Sequence, residues 1–274
     1  MTGGLGYAHM TATPPCSPTL ADLRRDIDRI DASMHALLMD RGEIIDRLIA
    51  VKRAQETGSA FRPGREAAMM REIIARHRGI LPVDIVESIW RVIIATFTHV
   101  QAPYSVHGDT SLGGGVMRDV ARFHFGFVVP YETHEDAGSV IAAVAASRGD
   151  LGLVPAAALG AWWRALEAPE APKVIARLPF VERAHHPAAM PTYVLSKPIE
   201  EAAAVTDVRL YSVELSQDDG AFPPDIRVEA QAGSARLVAL GADSSVEHLA
   251  AALPGPTSII PVGSHAAPFS HPSR

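Results

Sequence analysis

Apolar residues recur along the first hundred positions at alternating steps of three and four. They run Leu20, Leu23, Ile27, Ile30, Met34 and Leu37, then Ile44 and Leu48. This is the seam of a helix that packs along another helix. Only Gly42 interrupts the segment from Leu20 to Thr57, so the pattern predicts one helix of about 35 residues, roughly 50 Å long. Ser17 is the expected cap with Pro18 at the first helical position, and Gly58 the expected stop. A second helix is expected from Gly64 to His77, with a stripe of Met69, Met70, Ile73 and Ile74. A third is expected from Pro82 to Gln101, with a stripe of Val86, Ile89, Trp90, Ile93, Phe97 and Val100.

The period changes after Ser105. Residues 105–115 read as a Gly-rich linker; no Lys-Ser/Thr follows Gly113–Gly115, so a phosphate loop is not expected there. Beyond it, short helical and strand patterns alternate. Helices are expected over 116–124, 134–147 and around Trp162 and Trp163. Strands are expected over 126–130, 151–155, 173–180, 192–196 and 208–215. Such alternation predicts an α/β domain. The fold class is therefore α + α/β: a tail over 1–16, a helical module over 17–104, the linker, and a domain over 116–274.

Polar residues break the apolar seams at a few places. Arg41 fills the step between Leu37 and Ile44. Lys52, the only lysine among the first 172 residues, lies three turns beyond it. Arg65 and Glu66 open the second helix, and Gln101 ends the third on its apolar stripe. A seam arginine is also a common register device, and Glu66 has Arg41 and Lys52 within reach as ion-pair partners. Arg41, Lys52, Glu66 and Gln101, four polar groups on or beside buried faces within about 90 residues, nevertheless favour a shared ligand, because each unpaired buried charge is costly.

Helix geometry adds a constraint. Arg41 and Lys52 are roughly 16 Å apart along the axis, a gap that two long side chains can close on a small anion. Arg24 is about 25 Å before Arg41. One small ligand cannot touch Arg24 and Lys52 of the same straight helix, so Arg24 would have to come from a second chain. A three-helix unit with one overlong helix also cannot bury its seam alone. Both arguments predict an intertwined homodimer.

Composition narrows the function. The chain has 274 residues, 47% hydrophobic, and a net charge of −6. Its size allows one large core or two small ones, and its charge disfavours a nucleic-acid binder. Residues 17–106 carry 13 Lys+Arg against 12 Asp+Glu, whereas residues 107–274 carry 12 against 19. An anion site is thus expected in the first part. Cys16 is the single cysteine, which fits a reducing, cytoplasmic setting. Met1 to Ser17 lacks the charge and apolar run of a signal peptide, and no 18-residue apolar stretch predicts a membrane span. The histidines are scattered apart from His185 and His186, without i,i+4 pairs or cysteine partners, so no metal is expected.

The stretches LRRDIDRIDASMHALLMDRGEIIDRLIAVKR, RPGREAAMM and IIATFTHVQ carry these charged positions at set spacings. Together they resemble the all-helical AroQ class (type II) of chorismate mutases, over residues 20–104. The resemblance implies that Arg41, with Arg24 from the partner subunit, binds the two carboxylates of chorismate. It implies that Lys52 and Gln101 donate to the ether oxygen of the breaking C–O bond, that Glu66 accepts from the ring hydroxyl, and that Arg65 lies beside the ring or a carboxylate. Two positions depart from the family. Phe97 replaces a serine four residues before the glutamine, and Arg62 replaces an aspartate, where it offers an extra carboxylate contact or is solvated.

The implied reaction, chorismate to prephenate on the route to phenylalanine and tyrosine, suits such residues. It is an intramolecular rearrangement that needs no cofactor, metal or nucleophile. The site holds a dianion in its compact shape and stabilises charge growing on the ether oxygen. Lysine, a compact charge with adjustable donors, fits that second task. An isochorismate pyruvate-lyase on the same scaffold is the enzymatic alternative. A non-catalytic, effector-binding regulatory subunit is the alternative of another class. The later residues resemble, faintly, one lobe of a prephenate dehydratase. FVVPYETHEDAGSVIAAVAASRGDLGLVP echoes its strand, helix and strand order, and Thr192 matches its motif threonine. Tyr193 stands where that motif has arginine, and Ala156–Ala158 replaces Glu-Asn-Ser. A degenerate domain is expected, one that binds a small ligand, regulates the mutase or packs against it.

Overall fold

The structure, a computed structural model, describes residues 18–52, 61–199, 205–216, 222–223, 226–253 and 256–270. The expected tail over 1–16 with Cys16, the cap Ser17 and the stop Gly58 lie outside these residues. The chain divides into two compact units, Met1–Val51 and Lys52–Arg274.

The described part of the first unit lies mainly in helix α1 (Leu20–Lys52), close to the expected length, whose last residue falls in the second unit. Thr19 performs the capping. Its hydroxyl accepts from the Asp22 backbone N–H at 3.2 Å, while the Asp22 carboxylate accepts from the Thr19 N–H at 2.9 Å. Each satisfies one orphan N–H of the first turn, as in a capping box. The Thr19 hydroxyl also donates to the Asp22 carboxylate at 2.6 Å, and this bond, then the backbone one, holds the Asp22 carboxyl below its ordinary range. The apolar seam of α1 faces water in the single chain: Leu20, Leu23, Ile27, Ile30, Met34, Leu37, Ile44 and Leu48 are all exposed.

The second unit begins with α2 (Pro63–Arg76) and α3 (Val83–Gln101). Pro63 suits the first turn, where its missing N–H leaves no bond unmade. Met70, Ile73 and Ile74 of α2 are buried, as the stripe required. In α3 the buried face is displaced from the expected one. Val86, Glu87, Arg91, Ile94, Ala95 and Thr98 are buried, while Ile89 and Val100 are exposed. The apolar stripe was a true apolar stripe, but a second, mixed face of the same helix meets the α/β part.

The remaining chain forms a nine-stranded sheet. Its strands are β1 (Val106–Asp109), β2 (Tyr131–His134), β3 (Leu151–Pro155), β4 (Lys173–Leu178), β6 (Thr192–Ser196), β7 (Val208–Leu215), β8 (Arg227–Ala232), β9 (Ala235–Gly241) and β10 (Pro256–His265). Their order is β2-β1-β3-β6-β4-β10-β7-β9-β8. A separate pair joins β5 (Val181–Glu182) to β11 (Phe269–Ser270). Helices α4 (Gly114–Phe125) and α5 (Ala137–Ala146) follow β1 and β2, a 3₁₀ turn spans Trp162–Leu166, and α6 (Val246–Ala252) precedes β10.

The expected linker over 105–115 is corrected by this sheet. Val106–Asp109 is a strand with all four residues buried, paired in parallel to β2 and β3. A four-residue parallel strand covered on both faces shows no alternation in sequence, which is why it read as loop. The strand expected over 126–130 is a turn, and the strand itself follows at Tyr131–His134.

Successive strand residues face opposite sides. Val106, Leu151 and Leu153 share a core with Met117 and Val120 of α4 and with Met70, Ile73 and Ile94 of α2 and α3. Val154 and Leu195 share another with Val140 and Val144 of α5, Trp162 and Trp163. Two helices of the expected first module thus lean on the sheet domain, and the boundary expected at residue 104 runs through a continuous core.

Gly263 of β10 is the tightest point in the sheet. Its φ is +144°, and a Cβ there would sit 2.2 Å from the Val174 carbonyl oxygen. Backbone cannot yield as a side chain can. Gly263→Ala is expected to cost at least roughly 3 kcal/mol from strain and overpacking together, read as a lower urea midpoint; an unchanged midpoint would contradict this packing.

His265 closes the same strand. Its Nδ1 donates to the Ala266 carbonyl at 2.8 Å, and burial pushes the ring down to about 4 from 6.5. Above 6.5 the ring is neutral in both states. Between the two values the unfolded chain takes up a proton that the folded chain refuses. Stability is therefore expected to fall as pH drops through that window, by at most ~1.4 kcal/mol per unit. Urea unfolding near neutrality and at about pH 5 measures it. The wild type should lose more than His265→Phe, and equal losses would remove His265 as the cause.

Candidate active site

The residues that the sequence singles out fall in both units. Arg24 is exposed and Arg41 half-buried, both on α1, and Lys52 is its last residue. The Lys52 side chain lies outside what the structure describes. In the second unit Arg62 precedes α2, where its carbonyl accepts the Glu66 N–H at 3.0 Å; Arg65 is exposed and Glu66 buried on the first turn. Gln101 is half-buried at the end of α3.

Two of these side chains are engaged elsewhere in the single chain. Gln101 donates from Nε2 to the carbonyl of Phe97 at 3.0 Å, so it bonds back along its own helix. Glu66 accepts from Arg91 Nη1 at 2.6 Å, with both side chains almost wholly buried. The sequence offered Arg41 or Lys52 as its ion-pair partner. Arg91 escaped notice because it lies off the expected stripe of α3, on the face that the sheet domain covers.

Arg91 is fully committed. Its Nε and Nη2 donate to the His124 carbonyl at 3.2 and 3.0 Å, and its guanidinium lies 5.2 Å from the Phe180 ring centre. A planar guanidinium suits this combination of fork, carbonyl and ring. Burial lifts the Glu66 carboxyl above its ordinary range, against the pull of Arg91. Burial, and then the charge of Glu66, push the Tyr104 hydroxyl up as well.

A second charged group pins α3 to the sheet domain. Glu87 accepts from Arg183 Nη1 at 2.6 Å and from His186 Nε2 at 3.3 Å. The His186 Nδ1 accepts the Ala188 N–H at 2.9 Å, which assigns the ring proton to Nε2. His124 stacks on His186 with ring centres 6.1 Å apart, and burial holds it well below its ordinary value, hence neutral. A cleft nearby is lined by Arg71, His77, Arg78, Arg183 and Phe269. Of these, Arg71 is paired with Asp207 and Arg183 with Glu87.

The sheet domain places its motif residues in structural roles. Thr192 donates to the Met190 carbonyl at 2.9 Å, and Tyr193 is buried 5.9 Å from the Trp162 ring. No described helix is long and apolar enough to cross a membrane. Spacing gave no reason to expect metal ligands, yet the fold gathers His107, Glu132 and His134 from two neighbouring strands.

Fold and site together define a helical module joined to a mixed α/β sheet domain. Residues 23–102, which take in α1 from Leu23 and all of α2 and α3, match the sequence model of the family described as Chorismate mutase type II. The match covers well under half of the chain. Among curated proteins and solved structures, none matches.

Proposed function

We propose that this chain is a chorismate mutase that works as an intertwined homodimer. The observation that carries the reading is the family match over residues 23–102, with Arg24, Arg41, Lys52, Glu66 and Gln101 all present at the spacings of that family. Arg41 and the partner subunit's Arg24 bind the carboxylates of chorismate, with Arg62 and Arg65 adding positive charge nearby. Lys52 and Gln101 donate to the ether oxygen, where charge grows as the C–O bond breaks. Glu66 accepts from the ring hydroxyl through the oxygen that Arg91 leaves.

Exposure supports the dimer. A stripe of eight large apolar residues along α1 faces water in the single chain, as do Ile85, Ile89, Val92 and Val100 of α3. Monomeric soluble proteins rarely leave so long an apolar row uncovered. A second copy would cover it and bring Arg24 to the far end of the site. Gln101 would exchange its bond to Phe97 for one to substrate, at little cost because both are single neutral bonds.

The test is product analysis with the purified full chain, given chorismate and isochorismate separately. Prephenate from chorismate supports the reading. Pyruvate from isochorismate, without prephenate, would favour the lyase instead. No turnover of either by a folded dimer would favour a regulatory subunit. The full chain is the proper sample, because α2 and α3 share their core with the sheet domain.

A further inference from the structure

The edge of the sheet carries a group of side chains that the mutase reaction does not use. β2 is the outermost strand, and β1 lies beside it in parallel register, with His107 opposite Glu132 and Asp109 opposite His134. Residues two apart on a strand share a face. His107, Asp109, Glu132 and His134 therefore all stand on one side, away from the core that holds Val106.

The ring of His107 is turned by Asp150, whose Oδ2 lies 3.2 Å from its Nε2. A carboxylate only accepts, so Nε2 carries the ring proton and Nδ1 keeps its lone pair. That lone pair faces His134 Nε2 at 3.0 Å and Glu132 Oε2 at 3.5 Å. Ligands held about 2.0–2.1 Å from a zinc ion at tetrahedral angles are about 3.3 Å from one another. These two separations bracket that value.

A proton on His134 would satisfy one of these two contacts, whereas a cation would satisfy both. The surroundings also want positive charge. Among the described residues, no arginine or lysine forms an ion pair with Glu132, Asp150 or Asp109, and the Oδ2 of buried Asp109 lacks a hydrogen-bond partner. The carboxylate behind the ligating histidine is the usual outer partner of a zinc-bound imidazole.

We propose that the β1–β2 edge is a binding site for a zinc-class divalent cation. His107 Nδ1, His134 Nε2 and Glu132 are its ligands, Asp150 orients His107, and the remaining position is open to water. Two imidazoles and one carboxylate suit zinc and its late first-row neighbours better than magnesium or calcium, which prefer oxygen alone. The cation would tie the edge strand β2 to its neighbour β1.

Zinc titration of the chelator-stripped full chain, by calorimetry, tests this. The wild type is expected to bind one equivalent, with no competition from excess magnesium. Glu132→Gln and His134→Ala change side chains that are not deeply buried, so both should keep the far-ultraviolet circular dichroism of the wild type. Each is expected to bind zinc at least tenfold more weakly. Cobalt(II) should give the visible bands of a four-coordinate site in the wild type and lose them in His134→Ala. A wild type that binds no zinc, or variants that bind as tightly as the wild type, would overturn the proposal.

Discussion

Lys52→Ala is expected to remove nearly all prephenate formation while leaving the chain folded and dimeric. The rearrangement has no nucleophile and no proton transfer to lose. Its barrier is lowered by holding the dianion and by stabilising charge on the ether oxygen as the C–O bond opens. Removing one preorganised donor to a developing oxyanion costs about 10²–10³ in kcat, roughly 3–4 kcal/mol. A full positive charge should stand at the upper end of that range. Arginine is not an equivalent, since its planar fork cannot take the place of a compact ammonium, so Lys52→Arg should rescue little. The effect should appear in kcat more than in KM. A kcat within about threefold of the wild type would remove Lys52 from the mechanism.

The second large effect concerns stability. Arg91→Met is expected to cost about 3–5 kcal/mol, because it leaves the buried Glu66 carboxylate without its cation and the His124 carbonyl without its donors. Both partners are almost fully buried, so water cannot compensate. The double change Glu66→Met with Arg91→Met should be less damaging than Arg91→Met alone, since a buried pair replaced by apolar residues of similar size is often neutral. Urea midpoints of the three proteins measure this. An Arg91→Met midpoint equal to that of the wild type would mean that the pair does not hold α2 and α3 to the sheet domain. The same pair limits how far Glu66 can swing toward a substrate, so Glu66→Gln should lower both activity and stability.

The sequence made the long helix legible because a three-four apolar spacing over thirty residues has few other readings. It also placed α2 and α3 within a residue or two. It did not reveal which face of α3 would be covered. The residues that decide this, Glu87 and Arg91, are charged, and a hydrophobic stripe cannot predict a buried charge whose partner lies across the fold. Glu66 was picked out correctly as a polar group beside a buried face, but its partner was 25 positions away on another helix.

The sheet was legible where strands were long and apolar, as at Leu151–Pro155, Thr192–Ser196 and Val208–Leu215. It was not legible at β1, which is four residues long and contains His, Gly and Asp. The strands from Arg227 onward were missed although Gly233-Ser234 joins β8 and β9 in a two-residue hairpin, because β8 mixes charged and small residues and shows no clear apolar alternation. The histidine and carboxylate group on β1 and β2 was invisible for a related reason. Its members meet through strand register, not through spacing along the chain.

The exposed seam of α1 bears on the proposed dimer and the family match on the proposed reaction, and one assay tests both. Prephenate production from chorismate by the purified full chain, followed over a range of protein concentrations, is the most direct measurement. The account predicts saturable turnover well above the uncatalysed rate, with activity per chain rising as dimer forms. A folded chain that leaves chorismate at its uncatalysed rate at every concentration would contradict it.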